Sequence, residues 1–173
     1  MSNGDSDTER EGRLRSVLHE TTELLDRAGV PWAIAGAFAA DEYRGTHRFT
    51  TDADLLVQWR DELPTVLEQA GWNLDVKRDA GEPHLIRARR GLDSIDLIVG
   101  GTEYQSLAIR RANRGPLTIE DVLIHKVIAW RPKDRDDIRS ILTAGEEYDR
   151  AYVDHWVREW DVEDRWREAL TWS

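Results

Sequence analysis

The sequence predicts an α/β domain with a helical tail, and two patterns support this fold class. Through the first hundred residues, stretches with helical spacing of apolar side chains alternate with short apolar runs typical of strands. After a pair of glycines at 100 and 101 the pattern is mostly helical. The chain of 173 residues is long enough to bury one core, and no internal repeat divides it. We therefore expect a disordered lead-in over 1–8 and a single domain over 9–173, with its core at 9–115 and its helical tail at 116–173.

The core is predicted to begin with an amphipathic helix. Its apolar side chains recur at helical spacing from Leu14 to Ala28, and Gly29 suits the residue that follows its end. The remaining core elements are a strand at 32–35, a short helix at 37–43, a strand at 52–57, a helix at 61–70, a strand at 73–76, and a hairpin of strands 85–89 and 94–99 joined by a turn at 90–93.

The tail is predicted to contain several short helices. Thr118 and Asp121 have the spacing of a capping box, with a hydroxyl at the cap and an acid three residues on. The helix that they open runs to Ala129 and is interrupted near Pro132. Further helices are predicted at 134–142, 149–160 and 164–170.

Composition restricts the classes of function. The chain has no cysteine, which excludes disulfides, thiolate zinc sites and cysteine nucleophiles. No apolar run approaches the roughly 20 residues of a membrane span, so we expect a cytoplasmic protein without a membrane partner. The formal charge of -10 repels nucleic acid on average, so any RNA or DNA contact requires a local basic patch. The candidates for such a patch, or for plain solvated surface, are Arg87, Arg89, Arg110, Arg111 and Arg114.

Asp52 and Asp54 are the strongest candidates for chemistry. Side chains two apart on a strand project to the same face, roughly 6.5–7 Å apart along the chain. Two carboxylates on one face repel each other unless a cation lies between them, and such oxygen-rich sites suit Mg²⁺ or Mn²⁺. The alternative is a solvated strand start, which an acidic chain produces by chance.

Three other residues favour a phosphate-handling site. Gly36 follows an apolar strand and precedes a helix, where a backbone can approach a phosphate closely. Asp96 interrupts an apolar strand, and an unpaired acid there is costly to bury unless it faces a cleft or binds something. Lys126, on the helix after Thr118, is a point charge suited to a triphosphate, although a lone helix lysine is usually just solvated.

The order of these motifs resembles the DNA polymerase β-like nucleotidyltransferase superfamily. Within it, the sequence is most similar to the small bacterial and archaeal group that includes the abortive-infection (AbiEii-type) toxin nucleotidyltransferases. That group combines a glycine turn, an Arg-x-Thr-x-Asp-x-Asp strand, a Lys-x-x-Ala helix and an Arg-x-Lys-Asp-x-x-Asp helix. The matching residues run over nearly the whole chain: Gly36 and Ala37; Arg48, Thr50, Asp52 and Asp54; Lys126 and Ala129; Arg131, Lys133, Asp134 and Asp137.

The resemblance implies a small mixed β-sheet core flanked by helices, with two divalent ions between an Asp-x-Asp pair and a third acid. By this likeness Asp52 and Asp54 bind the metals that grip a triphosphate, and Asp96 shares the catalytic metal and helps to deprotonate an acceptor hydroxyl. The implied NTP-binding residues are Gly36, Ala37, Arg48, Thr50 and Lys126.

The function that this implies is a Mg²⁺- or Mn²⁺-dependent transfer of a nucleoside monophosphate from an NTP to a hydroxyl. The acceptor is an RNA such as tRNA, a protein or a small molecule, and the resemblance adds a toxin-like role. Ala37 departs from the pattern, because it replaces a second glycine or a serine and offers no hydroxyl to the phosphates. This departure leaves two alternatives: a binding or regulatory module, for instance in a toxin–antitoxin pair with a protein partner or as a homodimer, and a metal-dependent phosphohydrolase.

Two further sets of residues receive no catalytic role. Tyr152, Trp156 and Trp160 recur at helical spacing, which favours packing of the last helices over stacking on bases. The histidines are not spaced as a metal-binding set; they include His47, His84, His125 and His155.

Overall fold

A computed structural model of the chain describes residues 3–46, 48–50 and 52–172, with side chains from Thr8 onward. Within this part of the chain there are five strands and eight α-helices. The strands are β1 (Trp32–Ile34), β2 (Asp54–Gln58), β3 (Asn73–Asp79), β4 (Glu82–Arg90) and β5 (Asp93–Gly100). The helices are α1 (Asn3–Arg27), α2 (Gly36–Asp41), α3 (Leu63–Gln69), α4 (Glu103–Ala112), α5 (Ile119–Ala129), α6 (Pro132–Ala144), α7 (Arg150–Glu159) and α8 (Glu163–Ala169), followed by a 3₁₀ turn at Leu170–Trp172.

The strands form one mixed sheet in the order β1-β2-β5-β4-β3. Only the central pair, β2 and β5, is parallel, and the other neighbours are antiparallel. The chain passes through α3, β3 and β4 between the two parallel strands, as a parallel connection requires. This arrangement confirms the expected α/β fold with a small mixed sheet flanked by helices.

Alternation along the central strands separates two hydrophobic layers. Leu55 and Leu97 pack with α1 and α3 on one face of the sheet. Leu56 belongs to the cluster on the other face, with the α5 residues Leu123 and Ile124. Asp54 and Asp96 share the second face, two residues from Leu56 and Ile98, so the tail helices lie on the side of the sheet where the carboxylates project.

The tail helices are packed into the second layer. Val153 and Val157 of α7 and Trp166 of α8 are buried in the same cluster as Leu56 of the sheet. Thr118 caps α5 by accepting a hydrogen bond from the Asp121 amide, as its spacing predicts. The division of the chain into a core over 9–115 and a tail over 116–173 stays a prediction.

Several boundaries differ from the expected ones. The first helix begins at Asn3, so residues 3–8 are helical where a disordered lead-in was expected, and residues 1–2 lie outside the described part. β2 begins at Asp54, so Asp52 precedes the strand and does not lie on it. Helix α4 was not assigned from the sequence, although Thr102 and Gln105 at its start form a capping box.

No described helix combines the length and the apolar character that a membrane crossing requires.

Candidate active site

Asp54 and Asp96 lie side by side on the two parallel strands. They are register partners in the β2–β5 pairing, so their side chains project from the same face of the sheet. The Asp96 amide donates a hydrogen bond to the Ala53 carbonyl at 2.9 Å, which fixes this register at the beginning of β2. Two candidate carboxylates that are 42 residues apart in the sequence are thereby brought together.

Gly36 makes room for Asp54. It is the first residue of α2, separated from the end of β1 by Ala35 alone, and has a φ of +62°. A Cβ at this position would lie 2.7 Å from Asp54 Cγ, closer than side chains approach without displacement. The absence of a side chain at Gly36 therefore makes room for the Asp54 carboxylate, and the predicted approach of this backbone to a phosphate stays a prediction.

The surroundings of Asp54 disfavour its charged form. Burial raises the pKa of this carboxyl to about 6, and repulsion from Asp96 and Asp52 adds to the effect. Lys126 and Lys133 act in the opposite direction. Burial also raises the pKa of Asp96, although Arg87 opposes the shift. Carboxylates held together despite burial and mutual repulsion are typical of sites that receive a cation.

Asp52 precedes β2 and is not part of the strand. Its amide donates to Thr50 Oγ1 at 3.2 Å, and the Thr50 hydroxyl donates to the Asp52 carbonyl at 3.0 Å. The Asp52 side chain is mostly exposed, and its carboxylate lies 3.7 Å from Lys133 Nζ. Thr50, predicted to bind the NTP, therefore shapes the segment that carries Asp52.

A polar cleft of about 370 Å³ surrounds the three aspartates. Arg87 Nε lies 3.7 Å from Asp96 Oδ2, and Lys133 faces Asp52 from α6. The complete basic lining is Arg87, Arg89, Arg131 and Lys133. The strand pair Arg87 and Arg89, predicted as a phosphate or RNA contact or as solvated surface, thus borders the carboxylates.

Lys126 is buried in an ion-pair network. Its Nζ donates to Asp137 Oδ2 at 2.6 Å and to Asp134 Oδ1 at 3.3 Å, and its side chain is only 8% exposed. Arg44 and Arg48 also donate to Asp137, at 2.6 Å and 3.2 Å. The two candidate NTP-binding cations, Lys126 and Arg48, therefore share one carboxylate in this structure.

This network joins the two helical motifs. Lys126 lies on α5 and its acidic partners lie on α6, so the ion pairs connect the helices across the interruption at Pro132. Asp134 also accepts from the Arg131 amide and side chain, at 3.1 and 2.6 Å, which caps α6. The network pulls the pKa of Asp137 below its usual value although burial opposes this.

A second pocket of about 270 Å³ opens beside the carboxylates. Asp54, Asp96 and Gly36 belong to its lining, and His125 of α5 lines it as well. The remaining lining is partly charged, from Arg87, Lys126, Arg131 and Asp134, and partly apolar, from Ala35, Leu85, Ile98, Leu117, Val122 and Ala129. Sequence reasoning assigned His125 no role, because only the register of α5 against the sheet brings it to this pocket.

Other predicted candidates lie away from the cleft. Arg111 donates to Glu120 and Asp121, at 2.7 and 3.0 Å, which anchors α4 to α5. Trp156 packs its ring 4.8 Å from that of Tyr104, so the predicted packing role of the aromatic stripe is confirmed at this residue. Ala37 is buried directly after Gly36. His47 lies outside the described residues, and so does Thr51, which stands between Thr50 and Asp52 in the Arg-x-Thr-x-Asp-x-Asp motif.

The three aspartates have the donor chemistry of a magnesium site but are not arranged as a ready-made cage. Among the described residues, no three His, Asp or Glu side chains are grouped closely enough to hold a metal ion. Lys133 and Arg87 instead supply positive charge to Asp52 and Asp96. The residues fit Mg²⁺, because this ion takes one or two carboxylates and completes its shell with water and phosphate oxygens.

The fold is similar to that of the antibiotic-resistance factor ANT(2'')-Ia. The solution structure of the antibiotic-resistance factor ANT(2'')-Ia matches with a TM-score of 0.55 and 17% identity, covering 94% of this chain and 96% of that chain. ANT(2'')-Ia in complex with adenylyl-2''-tobramycin matches with a TM-score of 0.52 and 17% identity, over 91% of this chain and 95% of the other. An antigenic nucleotidyltransferase-like protein from Paracoccidioides brasiliensis matches at 0.46 and 21% identity, over 76% and 74%.

Sequence comparisons add no relative. No protein-family model matches the chain, and no curated protein matches it.

Proposed function

We propose that the protein is a metal-dependent nucleotidyltransferase that moves a nucleoside monophosphate from an NTP to a hydroxyl group. The observation that carries this proposal is the pairing of Asp54 with Asp96 across the central parallel strands, beside a glycine whose missing side chain makes room for Asp54. The pair stands in a cleft of a nucleotidyltransferase fold, with Asp52 next to it.

The three aspartates divide the chemistry. Asp52 and Asp54 would hold a divalent metal, which when bound would supply positive charge to the triphosphate and polarisation to the α-phosphate. Asp96 is more exposed than Asp54, and it takes the proton from the acceptor hydroxyl. The acceptor oxygen then bonds to the α-phosphorus, and the bond to the bridging oxygen breaks so that pyrophosphate leaves.

The other candidate residues contribute position and charge. Gly36 and Ala37 open α2, where backbone N–H groups have no acceptor within the helix and suit a phosphate. Thr50 exchanges hydrogen bonds with the backbone of Asp52. Arg48 and Lys126 reach a phosphate only by loosening their ion pairs with Asp137, so we assign them first to the network and second to the NTP.

The acceptor class and the biological role are the finer part of the proposal. The basic lining of the cleft supports an acceptor that carries negative charge, which favours RNA over a cationic small molecule; a protein acceptor is the third option. The AbiEii-like order of motifs supports a toxin-like enzyme that a protein partner restrains.

A binding or regulatory module is the second candidate function. Two observations favour it: Ala37 offers no hydroxyl, and the charges of Arg48 and Lys126 are already compensated by Asp137. Such a module binds an NTP without transferring any part of it.

The test is the transfer of label from α-³²P NTPs. The protein is incubated with each of the four NTPs, Mg²⁺ or Mn²⁺ and a bacterial lysate, beside an Asp52→Ala, Asp54→Ala variant. We expect one class of RNA, protein or small molecule to carry label with the wild type only. The control is an Asp75→Asn, Asp79→Asn variant, which removes two exposed carboxylates from β3 and should transfer label like the wild type.

Parallel reactions with γ-³²P NTPs separate the alternatives. Nucleotidyl transfer labels the acceptor from the α position only, whereas a phosphohydrolase releases labelled phosphate from the γ position and labels no acceptor. Metal-dependent NTP binding without any labelled product would support the regulatory module and contradict the enzyme.

A further inference from the structure

The pocket beside the carboxylates has two unlike ends. At one end lie Asp54, Asp96 and the start of α2, where a triphosphate and its metal belong under the proposed function. Two residues further along β4 and β5 the lining changes to the apolar pair Leu85 and Ile98, and α5 contributes Val122, His125 and Ala129 besides the charged Lys126. A nucleotide has the same division, because a charged phosphate chain leads to a flat base with apolar faces and polar edges.

His125 is a polar residue of this lining whose side chain has no polar partner among the described residues. Most polar side chains of the lining are occupied: Arg87 lies against Asp96, and Lys126 and Arg131 both pair with Asp134. Within the described part of the chain, the His125 imidazole forms no hydrogen bond or ion pair, and its one ring neighbour is Tyr104, with centroids 5.7 Å apart. Asp54, which shares this lack of a partner, is the proposed metal ligand.

The chemical state of His125 suits recognition of a neutral edge. Burial lowers the pKa of this imidazole to about 4, so it is uncharged near neutral pH. A neutral imidazole has one donor and one acceptor nitrogen. It can therefore hydrogen-bond a base edge but adds no general attraction for phosphate, unlike the cations of the neighbouring cleft.

We propose that this pocket holds the base of the NTP and that His125 is a specificity-determining residue that reads its edge. The apolar walls contact the faces of the base, and the imidazole discriminates between bases through one hydrogen bond. This inference rests on the proposed function for the placement of the triphosphate, but it concerns selective binding and not transfer.

The experiment measures equilibrium binding of the four NTPs and of tripolyphosphate, each with Mg²⁺, to the wild type and to His125→Leu and His125→Asn. The leucine keeps an apolar contact with Tyr104, so folding should survive, and thermal unfolding checks this. His84→Leu, at an exposed position on β4, is the matched control.

We expect the wild type to prefer some NTPs over others. His125→Leu should reduce the Kd ratio between favoured and disfavoured NTPs by about three- to tenfold, the worth of one hydrogen bond. His125→Asn should retain selectivity or change the favoured base, and binding of tripolyphosphate should stay unchanged. His84→Leu should behave like the wild type.

Three results would overturn the inference: equal Kd values for all four NTPs with the wild type, unchanged selectivity in His125→Leu, or an equal loss for the NTPs and tripolyphosphate, which marks a structural role. Failure of the proposed function looks different. Selective, His125-dependent binding without label transfer would retain the inference and reject the enzyme, whereas transfer without selectivity would do the reverse.

Discussion

Gly36 controls where Asp54 can lie, because a side chain there would overlap the carboxylate. We predict that Gly36→Ala displaces Asp54, lowers the transfer rate by about 100-fold and destabilises the protein by about 1–3 kcal/mol. Transfer kinetics and urea unfolding measure the two effects. The strain of a positive φ contributes about 1 kcal/mol of the loss of stability.

Gly91 supplies the matched control for this substitution. Its φ of +60° is close to the +62° of Gly36, but nothing lies within 4 Å of the position of its Cβ. Gly91→Ala should therefore show the cost in stability of the backbone strain, about 1 kcal/mol, with normal transfer. Equal transfer rates in the two variants would show that the space beside Asp54 is not needed.

The carboxyl of Asp54 predicts a pH dependence of stability in the absence of metal. An unfolded aspartate ionises near pH 3.8, whereas the folded pKa of Asp54 is about 6. Between these values the folded state holds a proton that the unfolded state has lost, so the free energy of unfolding falls as pH rises from about 4 to 6. The loss amounts to about 3 kcal/mol at most.

Asp54→Asn should remove this contribution and stabilise the metal-free protein above pH 6. Mg²⁺ should raise the melting temperature of the wild type more at pH 7.5 than at pH 5, because ionised Asp54 binds the ion. Asp79→Asn, at an exposed position on β3, should leave both profiles unchanged. A melting temperature of the Asp54→Asn protein with the same pH dependence as wild type would contradict the assignment.

Helices α5 and α6 are connected by buried charges, and this predicts a structural role for Lys126. Replacing it by methionine leaves the buried acids Asp134 and Asp137 short of a partner. We predict that Lys126→Met lowers the free energy of unfolding by about 3–5 kcal/mol, as measured by urea denaturation.

Lys133→Met gives the comparison on the same pair of helices. Lys133 is half-exposed and faces the exposed Asp52, so its loss should cost no more than about 1 kcal/mol. If Lys126→Met were as stable as Lys133→Met but bound NTP poorly, Lys126 would be a triphosphate ligand first, and the structural assignment would be wrong.

The elements of the fold were predictable wherever one local signal determined them. The spacing of Thr118 and Asp121 indicated the start of α5, and the apolar run after Asp93 indicated β5. Asp52 was placed at the start of the strand, but its backbone exchanges hydrogen bonds with Thr50 and the strand begins only at Asp54. Extension of β3 to Asp79 depends on pairing with β4, which is not a local signal.

The acidic residues of the site were predictable from the sequence, but the positions and partners of Lys126 and His125 were less so. Sequence motifs singled out the three aspartates, but the register of β2 against β5 alone decides that Asp54 and Asp96 are neighbours. The partners of Lys126 follow from the packing of α5 on α6, which no spacing rule supplies. His125 was passed over for the same reason, since its importance comes from the pocket that it lines.

For the whole molecule, the tail helices and the sheet share one hydrophobic layer, which predicts a single unfolding transition. Trp166 of α8 is buried in this layer and donates from Nε1 to Asp154 at 2.7 Å. We predict that Trp166→Ala lowers the free energy of unfolding by about 3–5 kcal/mol and that far-UV circular dichroism and fluorescence still change together.

Trp59→Ala is the control for this prediction. Trp59 is half-buried on the opposite side of the sheet, and its loss should cost about 1 kcal/mol. Separate transitions for the two probes in the Trp166 variant would show that 116–173 unfolds as an independent unit.

Metal-dependent transfer itself is tested most directly by the rate at which the purified protein moves label from its preferred α-³²P NTP to the identified acceptor, as a function of Mg²⁺ concentration. The wild type, Asp54→Asn and Asp79→Asn are compared. We predict no transfer in EDTA, a rate that saturates with Mg²⁺ for the wild type and for Asp79→Asn, and a loss of at least about 100-fold for Asp54→Asn. Transfer that persists in EDTA, or that Asp54→Asn carries out at the wild-type rate, would contradict the function proposed for this site.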